Sequence, residues 1–565
     1  MTYLVKEAKQ QLSDILKNAL ERAFAAGSLS PAEIPDFALE VPGDRAHGDW
    51  SCNIAMASAR IFRSAPVKIA QTITENADLS GSYFTRCEVA GPGFINFFYD
   101  ARFYADVIKE IHDKKEEYGQ SDFGGGERVL VEFVSANPTG PMHIGNARGG
   151  ALGDCLSAVL QTAGFSVGKE FYVNDAGNQL AKLGMSLDIR YQQLFDLDPE
   201  HAPEMPEDSY HGEDIKRHAA AYAAEHGDSL LHVSESERRR ALTDYVLPKN
   251  VAKMQEDLAR YGIYYDKWFF ESELHKSGAV DETVRLLQDK GLTYEQDGAL
   301  WYRATALGGE KDEVIIRSNG NPTYFIVDIA YHRNKFRRGY SRLIDCWGAD
   351  HHGHVARMKT AMDAVGEDGN KLDIVLYQLV NLVRGGETVR MSKRTGKAIQ
   401  LGDLLDEVSR DSVRFTFNMH EPNMAMDFDL DLAVQQDAQN PVYYVQYAHA
   451  RICSILRNLA ENGITPRACT QEELLLLTAP EETELIRHLS LYTDEIIRCA
   501  SRLDPSGVTR YVINLATLFH KFYNACRVKG EDEPLMQARI SLCTATRQVI
   551  QNVLHMLNVS VPDHM

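Results

Sequence analysis

The sequence has no run of the roughly 18 consecutive apolar residues that a membrane-spanning helix needs. Its nine cysteines include no Cys-x-x-Cys pair, so neither a zinc knuckle nor a disulfide framework is indicated. The first 20 residues form an amphipathic pattern without the apolar core or the cleavage site of a signal peptide. We therefore expect a cytoplasmic protein with no membrane partner.

Basic residues are scarce relative to acidic ones, because 60 Lys and Arg face 80 Asp and Glu and leave a net charge of −20. That balance alone argues against a nucleic-acid partner, since phosphates favour a basic surface. The basic charge is concentrated, however. Residues 331–360 contain seven Lys or Arg against two acids, and residues 384–397 contain five against one. Two local basic surfaces are therefore predicted within an acidic protein.

The length of 565 residues allows about three or four domains. Residues 1–98 combine an amphipathic first helix, a second helix near residues 53–70 and alternating apolar segments, which indicates a small α+β domain. Residues 99–127 are predicted to form a linker helix and a glycine-rich turn. Residues 128–410 open with a strand, a loop, a helix and a strand, which is typical of a Rossmann-like, doubly wound parallel sheet in an α/β domain.

The second half of the chain is richer in helical patterns. An acidic stretch at about residues 179–300 is predicted as a helical insertion in the sheet. Short strands are expected afterwards, in ALWYRA, DEVIIRS, YFIVDIA and SRLIDCWGA. Residues 411–565 contain four amphipathic patterns in sequence and are predicted to form an all-α helical bundle. From residue 441 onward that bundle is near neutral, with 12 basic and 13 acidic residues.

A first motif, PMHIGN at residues 141–146, lies between a predicted strand and a predicted helix. Helix N-termini favour anions, and a glycine admits a phosphate or a planar ring close to the backbone. His143 could donate a hydrogen bond to a phosphate there. A histidine that merely caps the helix is an equally good interpretation of this motif by itself.

A second motif, RMSKRTGK at residues 390–397, follows about 250 residues later. A solvated run of charge is the ordinary interpretation of such a segment. Met391 and Ser392 between cations, with glycines on both sides, are nevertheless typical of a loop that closes over a polyphosphate. Lys393 could then neutralise charge that develops on a leaving pyrophosphate.

Together the motifs resemble the two signatures of class I aminoacyl-tRNA synthetases, a His-Ile-Gly-His motif and a Lys-Met-Ser-Lys-Ser loop. Further segments are similar to bacterial-type arginyl-tRNA synthetases over essentially the whole chain, including an N-terminal domain that other class I enzymes lack: VEFVSANPTGPMHIGN, YVNDAGNQ, YFIVDIAYHRNKF, WGADHHGH and YYVQYAHARI. Two departures are clear. Asn146 replaces the second His, and Arg390 and Arg394 replace the first Lys and the last Ser.

The resemblance implies a monomeric ligase that uses ATP and Mg²⁺ to convert L-arginine to arginyl-adenylate. It implies that activation depends on bound tRNA and that the arginyl group passes to the 3′ end of tRNA-Arg for protein synthesis. Catalytic roles are implied for His143, Asn146, Ser392 and Lys393. ATP binding is implied for a larger group: Pro141, Gly145, Gly348, Asp350, His351, His354, Met391 and Arg394.

Two acids in apolar segments are the candidates for binding a guanidinium, which needs planar carboxylate acceptors. Glu132 and Asp328 are costly where they stand unless each meets a cation. The resemblance places both acids around the arginine with Ser135, Asn137 and Tyr324. Pairing of both acids with internal Arg or Lys is the alternative.

In this family, Asp-Ala-Leu-Arg marks the entry to the anticodon-binding bundle, and residues 411–414 (DSVR) match at the two charged ends only. The resemblance implies tRNA contacts for Arg414, Tyr443, Tyr447 and Arg451, since aromatic and Arg side chains stack on unpaired bases. Core packing at helical spacing is an equal alternative for each tyrosine. The N-terminal domain is expected to bind the tRNA core, and no dedicated metal site is expected.

Three other functions stay open. A class I ligase for another amino acid, such as cysteine, is opposed by the lack of clustered Cys and His zinc ligands. A nucleotidyltransferase with the same phosphate motifs has no need of a helical tail of 125 residues. A non-catalytic tRNA-binding paralogue is opposed by His143 and Lys393, although Asn146 leaves it possible.

Overall fold

The computed structural model describes residues 3–195, 203–389 and 399–565. In the N-terminal domain the long first helix packs on the last of the short helices, and short helices in turn pack on an antiparallel sheet of order β1-β2-β4-β3. Its elements are α1 (Leu4–Ala25), β1 (Leu39–Glu40), β2 (Trp50–Cys52), α2 (Ile54–Ala57), α3 (Ala59–Phe62), α4 (Pro66–Asn76), β3 (Phe84–Ala90) and β4 (Phe94–Tyr99).

The helix predicted near residues 53–70 is divided into α2, α3 and α4. Arg63, which follows α3, has φ +49°, a left-handed conformation that ends a helix. Pro66 then starts α4, because proline fits the first helical position but cannot continue a preceding helix. The linker helix α5 (Ala101–Lys114) follows the domain, and its apolar face is buried.

A parallel five-stranded sheet of order β12-β11-β5-β6-β7 forms the centre of the molecule. The chain adds strands on one side of β5 and later on the other, so the order reverses beside β5. In such sheets the crevice at the carboxyl ends of the strands is the usual ligand site. The elements are β5 (Arg128–Glu132), α6 (Ile144–Thr162), β6 (Ser166–Val173), α7 (Gly177–Phe195), α8 (Glu213–His226), α9 (Glu235–Arg260), β7 (Lys267–Phe270), α10 (Glu271–Lys276), α11 (Ala279–Asp289), β8 (Thr293–Gln296), β9 (Ala299–Tyr302), β10 (Glu313–Ile316), α12 (Tyr324–Arg337), β11 (Arg342–Gly348), α13 (His352–Val365) and β12 (Leu372–Tyr377).

Glycines bring α6 close to the ends of the central strands. A Cβ on Gly153 would lie 2.2 Å from Cγ of Phe133, and one on Gly149 would lie 2.7 Å from Cζ of Tyr377. Real Cβ atoms do not approach so closely, so these glycines are needed for the packing of α6. The helix that starts at the first motif is thereby held against the sheet.

Two predictions for this domain are wrong. YFIVDIA is the start of helix α12 rather than a strand, because a short apolar run rich in β-branched residues is compatible with either element. The predicted insertion at 179–300 is also interrupted, since β7 pairs in parallel with β6 at the edge of the central sheet. The helices α7, α8 and α9 form the separate helical unit, with its own core.

After β12 the chain forms a small three-stranded sheet before it forms the bundle. Strand β15 pairs with β13. The prediction that residues 411–565 are all helical is therefore wrong. The remaining elements are β13 (Val380–Arg384), β14 (Glu387–Thr388), α14 (Leu401–Glu407), α15 (Arg410–Phe417), β15 (Met426–Asp429), α16 (Leu430–Ala433), α17 (Pro441–Glu461), α18 (Gln471–Leu474), α19 (Pro480–Ser490), α20 (Tyr492–Arg502), α21 (Ser506–Ala525) and α22 (Glu533–Met556). No helix in these described ranges is long and apolar enough to cross a bilayer.

The bundle is fastened to the rest of the molecule, with α20 packed on α6 and with α19 and α22 packed on α5. Arg414 is fully buried at this junction. Its guanidinium donates to the carbonyls of Leu557 (2.8 Å) and Tyr261 (3.2 Å) and lies 2.5 Å from an oxygen of Asp154. Full burial leaves Arg414 no surface for a tRNA contact. We correct that prediction: Arg414 joins the bundle to the domain of the central sheet.

Candidate active site

A cavity of about 890 Å³ opens at the carboxyl ends of the central strands, where the strand order reverses. The predicted residues that line it are Glu132, Ser135, Asn137, Pro141, His143, Asn146, Tyr324, Asp328, Gly348, Asp350, His351 and His354. Gly145 belongs to the same turn as His143. Met391, Ser392, Lys393 and Arg394 lie outside the described residues.

The described lining of this cavity carries five carboxylates and no Lys or Arg: Glu132, Asp214, Glu271, Asp328 and Asp350. A concave wall of one charge sign focuses its field on the space it encloses and favours a ligand of the opposite sign. The part of the cavity that these carboxylates line therefore favours a positively charged ligand.

The loop after β5 has an unusual backbone. Val134 has φ +72° and Ser135 has φ +41°, in the left-handed region that residues other than glycine rarely adopt. Such conformations cost about 1–3 kcal/mol each and persist where the surroundings enforce them. The Ser135 hydroxyl donates to Oε1 of Glu132 (2.7 Å) and accepts from the backbone N–H of Tyr172 (3.1 Å). This loop thereby fixes both Ser135 and Glu132 at the cavity wall.

Glu132 is buried, and its Oε2 lies 2.5 Å from the ammonium of Lys335. Burial raises the pKa of Glu132, and the charge of Lys335 opposes that rise. This contact shows that Glu132 pairs with an internal Lys, which was the alternative interpretation of this residue. Its place in the cavity wall leaves a role in binding arginine as a hypothesis.

Tyr324 and Asp328 lie one helical turn apart on α12, so both side chains face the cavity. Oδ2 of Asp328 lies 3.0 Å from Nε2 of His354. Tyr324 is 46% exposed and free to meet a ligand in the cavity. His354 was predicted to bind ATP and Asp328 to bind arginine, so this contact brings together residues predicted for two different ligands.

Glu271 is a site residue that sequence reasoning missed. It is the first residue of α10, only 4% exposed, and it accepts a 2.8 Å hydrogen bond from the hydroxyl of Tyr172. Burial raises the pKa of Glu271. An acid directly after the apolar strand KWFF is the same signal that identified Glu132, and it could have been found in the same way.

The turn of the first motif is a capped helix start. Nδ1 of His143 accepts from the N–H of Gly145 (3.1 Å), and Oδ1 of Asn146 accepts from the N–H of His143 (3.0 Å). A neutral ring that accepts at Nδ1 carries its proton on Nε2. The capping interpretation therefore holds, and it leaves the Nε2–H of His143 as the donor available to a phosphate.

The segment directly after the second motif is paired with the first motif. His143 and Gln400 form an antiparallel bridge. The N–H of Ile144 donates to the carbonyl of Ile399 (3.2 Å), and the N–H of Leu401 donates to that of Met142 (2.8 Å). The chain directly after the second motif is thus hydrogen-bonded to the first motif.

The carboxyl end of β11 supplies another part of the wall. The exposed carboxylate of Asp350 folds back over Gly348, where a Cβ would lie 2.5 Å from its Oδ1. Nε2 of His351 lies 3.6 Å from Oδ2 of Asp350, and both residues are exposed. An exposed acid after a parallel strand is suited to hydrogen bonding with ribose hydroxyls.

The basic surface predicted for residues 331–360 is wrong. Six of its seven Lys and Arg side chains pair with carboxylates of the same chain: Arg333 and Arg337 with Glu282, Lys335 with Glu132, Arg338 with Glu170, Arg342 with Asp373, and Arg357 with Glu313. These acids lie elsewhere in the sequence, so a count within the segment missed them.

The helical bundle has a second cavity, of about 770 Å³, with the opposite charge. Its described lining contains Arg451, Arg457, Arg527 and Lys529 and no acid. The guanidinium carbon of Arg451 lies 4.7 Å from the ring centroid of Tyr523 and 5.9 Å from that of Tyr447. The ring of Tyr443 lies parallel to that of Tyr447, 6.4 Å away. This cavity combines cations with aromatic faces.

Three family models match the chain. They describe the arginyl tRNA synthetase N terminal domain (residues 10–99), the catalytic domain of the class I (R) tRNA synthetases (residues 107–454) and the DALR anticodon binding domain (residues 445–565). The first and third correspond to the N-terminal domain and the bundle, and the second contains the acidic cavity.

The chain is similar over its whole length to curated relatives. The arginine–tRNA ligase of Acetivibrio thermocellus is 53% identical over 566 residues, and that of Ruminiclostridium cellulolyticum is 51% identical over 566 residues, each with 100% of both chains covered. The arginyl-tRNA synthetase structure of Thermus thermophilus shares the fold, with a TM-score of 0.74 at 21% identity, covering 98% of this chain and 100% of that one.

Proposed function

This chain belongs to the arginyl-tRNA synthetases and is an arginine–tRNA ligase, and we propose that its two cavities divide the substrates between them. The ligase activates L-arginine with ATP and charges tRNA. In our proposal the acidic cavity holds arginine and ATP, and the basic cavity of the bundle holds anticodon bases. The observation that carries this assignment is the opposite charge of the two linings.

The acidic cavity binds the arginine side chain through its carboxylates. Asp328 is half-buried and reachable, so it accepts from the guanidinium with charge-assisted hydrogen bonds. Glu132 and Glu271 add buried negative charge behind it, and Tyr324 closes the exposed side. Ser135 and Asn137, on the strained loop, hold the backbone end of the amino acid.

The nucleotide occupies the rest of the same cavity. Nε2–H of His143 donates to a phosphate, while the N–H of Gly145 fixes the ring and Asn146 fixes the backbone of His143. Pro141 and Gly145 let the nucleotide approach the turn. Gly348 and Asp350 take the ribose, with His351 and His354 beside them. Met391, Ser392, Lys393 and Arg394 supply the contacts and the cationic charge that the described lining lacks.

Mg²⁺ enters with the ATP. A small hard cation prefers oxygen ligands and is commonly held by one or two carboxylates together with substrate phosphates. The exposed carboxylate of the described cavity wall, Asp350, is used by the ribose in this proposal, so the ion is held by the phosphates and not by a dedicated protein site. Its chemistry is to neutralise phosphate charge during transfer of the adenylyl group.

Activation depends on bound tRNA. The pairing of Gln400 with His143 supports this part of the proposal, because tRNA contacts that move the second motif would act directly on the first. The bundle reads the anticodon through Tyr443, Tyr447 and Arg451, and the N-terminal domain holds the tRNA core. We propose that the protein is a monomer, since one chain carries both cavities. We also propose that it is cytoplasmic.

A pyrophosphate-exchange assay with each amino acid, with and without tRNA-Arg, tests the proposal. We expect exchange with arginine only, and only when tRNA is present. Exchange with another amino acid would overturn the assignment of the acidic cavity to arginine. Strong arginine-dependent exchange without tRNA would contradict tRNA-dependent activation alone.

A further inference from the structure

Two buried carboxylates face each other across neighbouring central strands. Glu132 on β5 is paired in register with Asp345 on β11. Asp345 is 0% exposed, and Glu132 is also buried. Like charges directly opposite each other in a sheet are destabilising, and burial adds the cost of removing both from water. Two adjacent carboxyl groups in such a site ordinarily share one proton.

Lys335 removes this conflict. Its side chain is fully buried, and its ammonium lies 2.5 Å from Oε2 of Glu132 and 2.9 Å and 3.1 Å from the two oxygens of Asp345. Burial lowers the pKa of Lys335, but the nearby acids outweigh burial and raise it overall. The amine therefore stays charged between the two carboxylates.

The two acids do not depend on Lys335 equally. Asp345 has a second partner, since its Oδ2 lies 2.7 Å from Nε2 of His332. Burial raises the pKa of Asp345, but Lys335 and His332 together lower it to about 2. Glu132 has Lys335 as its ionic partner and the uncharged hydroxyl of Ser135 at its other oxygen. Removal of Lys335 would therefore place the shared proton on Glu132.

Glu132 lines the acidic cavity and Lys335 does not, so Lys335 acts on that cavity through Glu132. We propose that Lys335 is a positioning residue for arginine, which keeps Glu132 ionised and fixed beside Ser135 despite the opposing Asp345. This inference rests on the proposed function, in which Glu132 contacts the arginine. Selection of a cationic side chain would thus depend on a buried cation that does not touch the substrate.

A double-mutant cycle on the full-length protein tests the inference, with L-arginine affinity measured by isothermal titration calorimetry. Glu132→Gln and Lys335→Met should each weaken arginine binding by about tenfold or more, because each removes the same charged acceptor. The double variant should bind arginine no more weakly than Glu132→Gln alone, since Lys335 would have nothing left to act on. The Michaelis constant for ATP should stay within about twofold in all three, because ATP does not use this acceptor.

Arg238→Met is the matched control. Arg238 pairs with the buried Asp188 in the helical unit of α7, α8 and α9, and neither residue lines the acidic cavity. Its loss should lower the melting temperature, because the buried Asp188 keeps only Arg239, 3.3 Å away, as a cationic partner, and arginine affinity should not change. A loss of arginine affinity in this control equal to that of Lys335→Met would show a general effect of instability and overturn the inference.

The outcomes separate this inference from the function beneath it. If Glu132→Gln weakens arginine binding and Lys335→Met does not, the inference fails and the proposed function stands. If Glu132→Gln has no effect, the proposed role of Glu132 fails and the inference fails with it. Additive losses in the double variant would show that Lys335 acts independently of Glu132. If Lys335→Met alone does not fold, the double variant still decides: a further loss beyond Glu132→Gln overturns the inference.

Discussion

Two large cavities in the described part of this protein have opposite charges. The cavity at the central sheet is lined by five carboxylates, and its described part contains no Lys or Arg. The cavity of the bundle is lined by three Arg and one Lys, and no acid belongs to its described lining. A net charge of −20 for the whole chain conceals both fields. Local charge, rather than the total, indicates which ligand each region favours.

The comparison also exposes a requirement of the acidic cavity. ATP phosphates would be repelled by a wall of carboxylates unless cations are supplied with them. Six of the seven cations of residues 331–360 are already paired, and the second motif brings four Lys or Arg in residues 390–397, directly before Gln400 in the chain. The acidic cavity thus needs charge from a neighbouring segment, whereas the bundle cavity carries its own.

The largest effect is expected from Lys393→Ala. A cation placed at a developing charge contributes about 2.7–4 kcal/mol, so adenylate formation should slow by about 10²–10³ with little change in arginine affinity. Single-turnover adenylate formation measures the rate. Lys311→Ala, an exposed lysine outside both cavities, is the control. A raised Michaelis constant for arginine with intact turnover would make Lys393 a binding residue instead.

A second, smaller effect is expected from Asp328→Asn. Loss of a charge-assisted acceptor costs about 1.5–3 kcal/mol, so the Michaelis constant for arginine should rise roughly 10- to 150-fold while that for ATP changes little. Asp350→Asn is the matched variant, because it removes a carboxylate from the same cavity at the nucleotide end. It should alter the constant for ATP more than that for arginine. If each variant raised the Michaelis constants for arginine and for ATP equally, the proposed division of this cavity into an arginine end and a nucleotide end would be wrong.

Arg451→Ala tests the bundle cavity. It removes one cation that also packs on Tyr523, so tRNA affinity should fall and the slope of log affinity against log salt should decrease by about 1. The Michaelis constant for arginine should not change. Arg502→Ala, at an exposed position of the bundle outside this cavity, is the control and should change tRNA affinity and the salt slope less than Arg451→Ala does. An unchanged salt slope for Arg451→Ala would show that the basic cavity does not meet phosphates.

The smallest effect concerns the cap at the first motif. Asn146→Ala removes the acceptor for the N–H of His143 and should lower the free energy of unfolding by about 1 kcal/mol or less. Urea denaturation measures the change, and Asn146→Asp keeps the acceptor and should be nearly neutral. A large loss of activity in Asn146→Asp would show that this position needs an amide donor, and not only a cap.

Much of this fold can be predicted because its strongest patterns are local. Helix α1 and strand β5 follow from clear periodicity, and a buried acid such as Glu132 or Asp328 is conspicuous whatever element carries it. Local patterns fail where tertiary packing decides, as in α12, whose apolar run also fits a strand. They also fail for pairing between distant residues: an internal Lys or Arg partner for Glu132 was an open alternative, but neither its identity as Lys335 nor the burial of Arg414 could be predicted.

The most direct test of the central claim compares binding of L-arginine with that of L-citrulline, which has the same length but an uncharged urea group. If the carboxylates of the acidic cavity select a cation, calorimetry on the full-length protein should show citrulline binding at least about 100-fold more weakly, because buried acids would be left unpaired. Similar affinities for the two amino acids would contradict the claim that charge in this cavity selects the substrate.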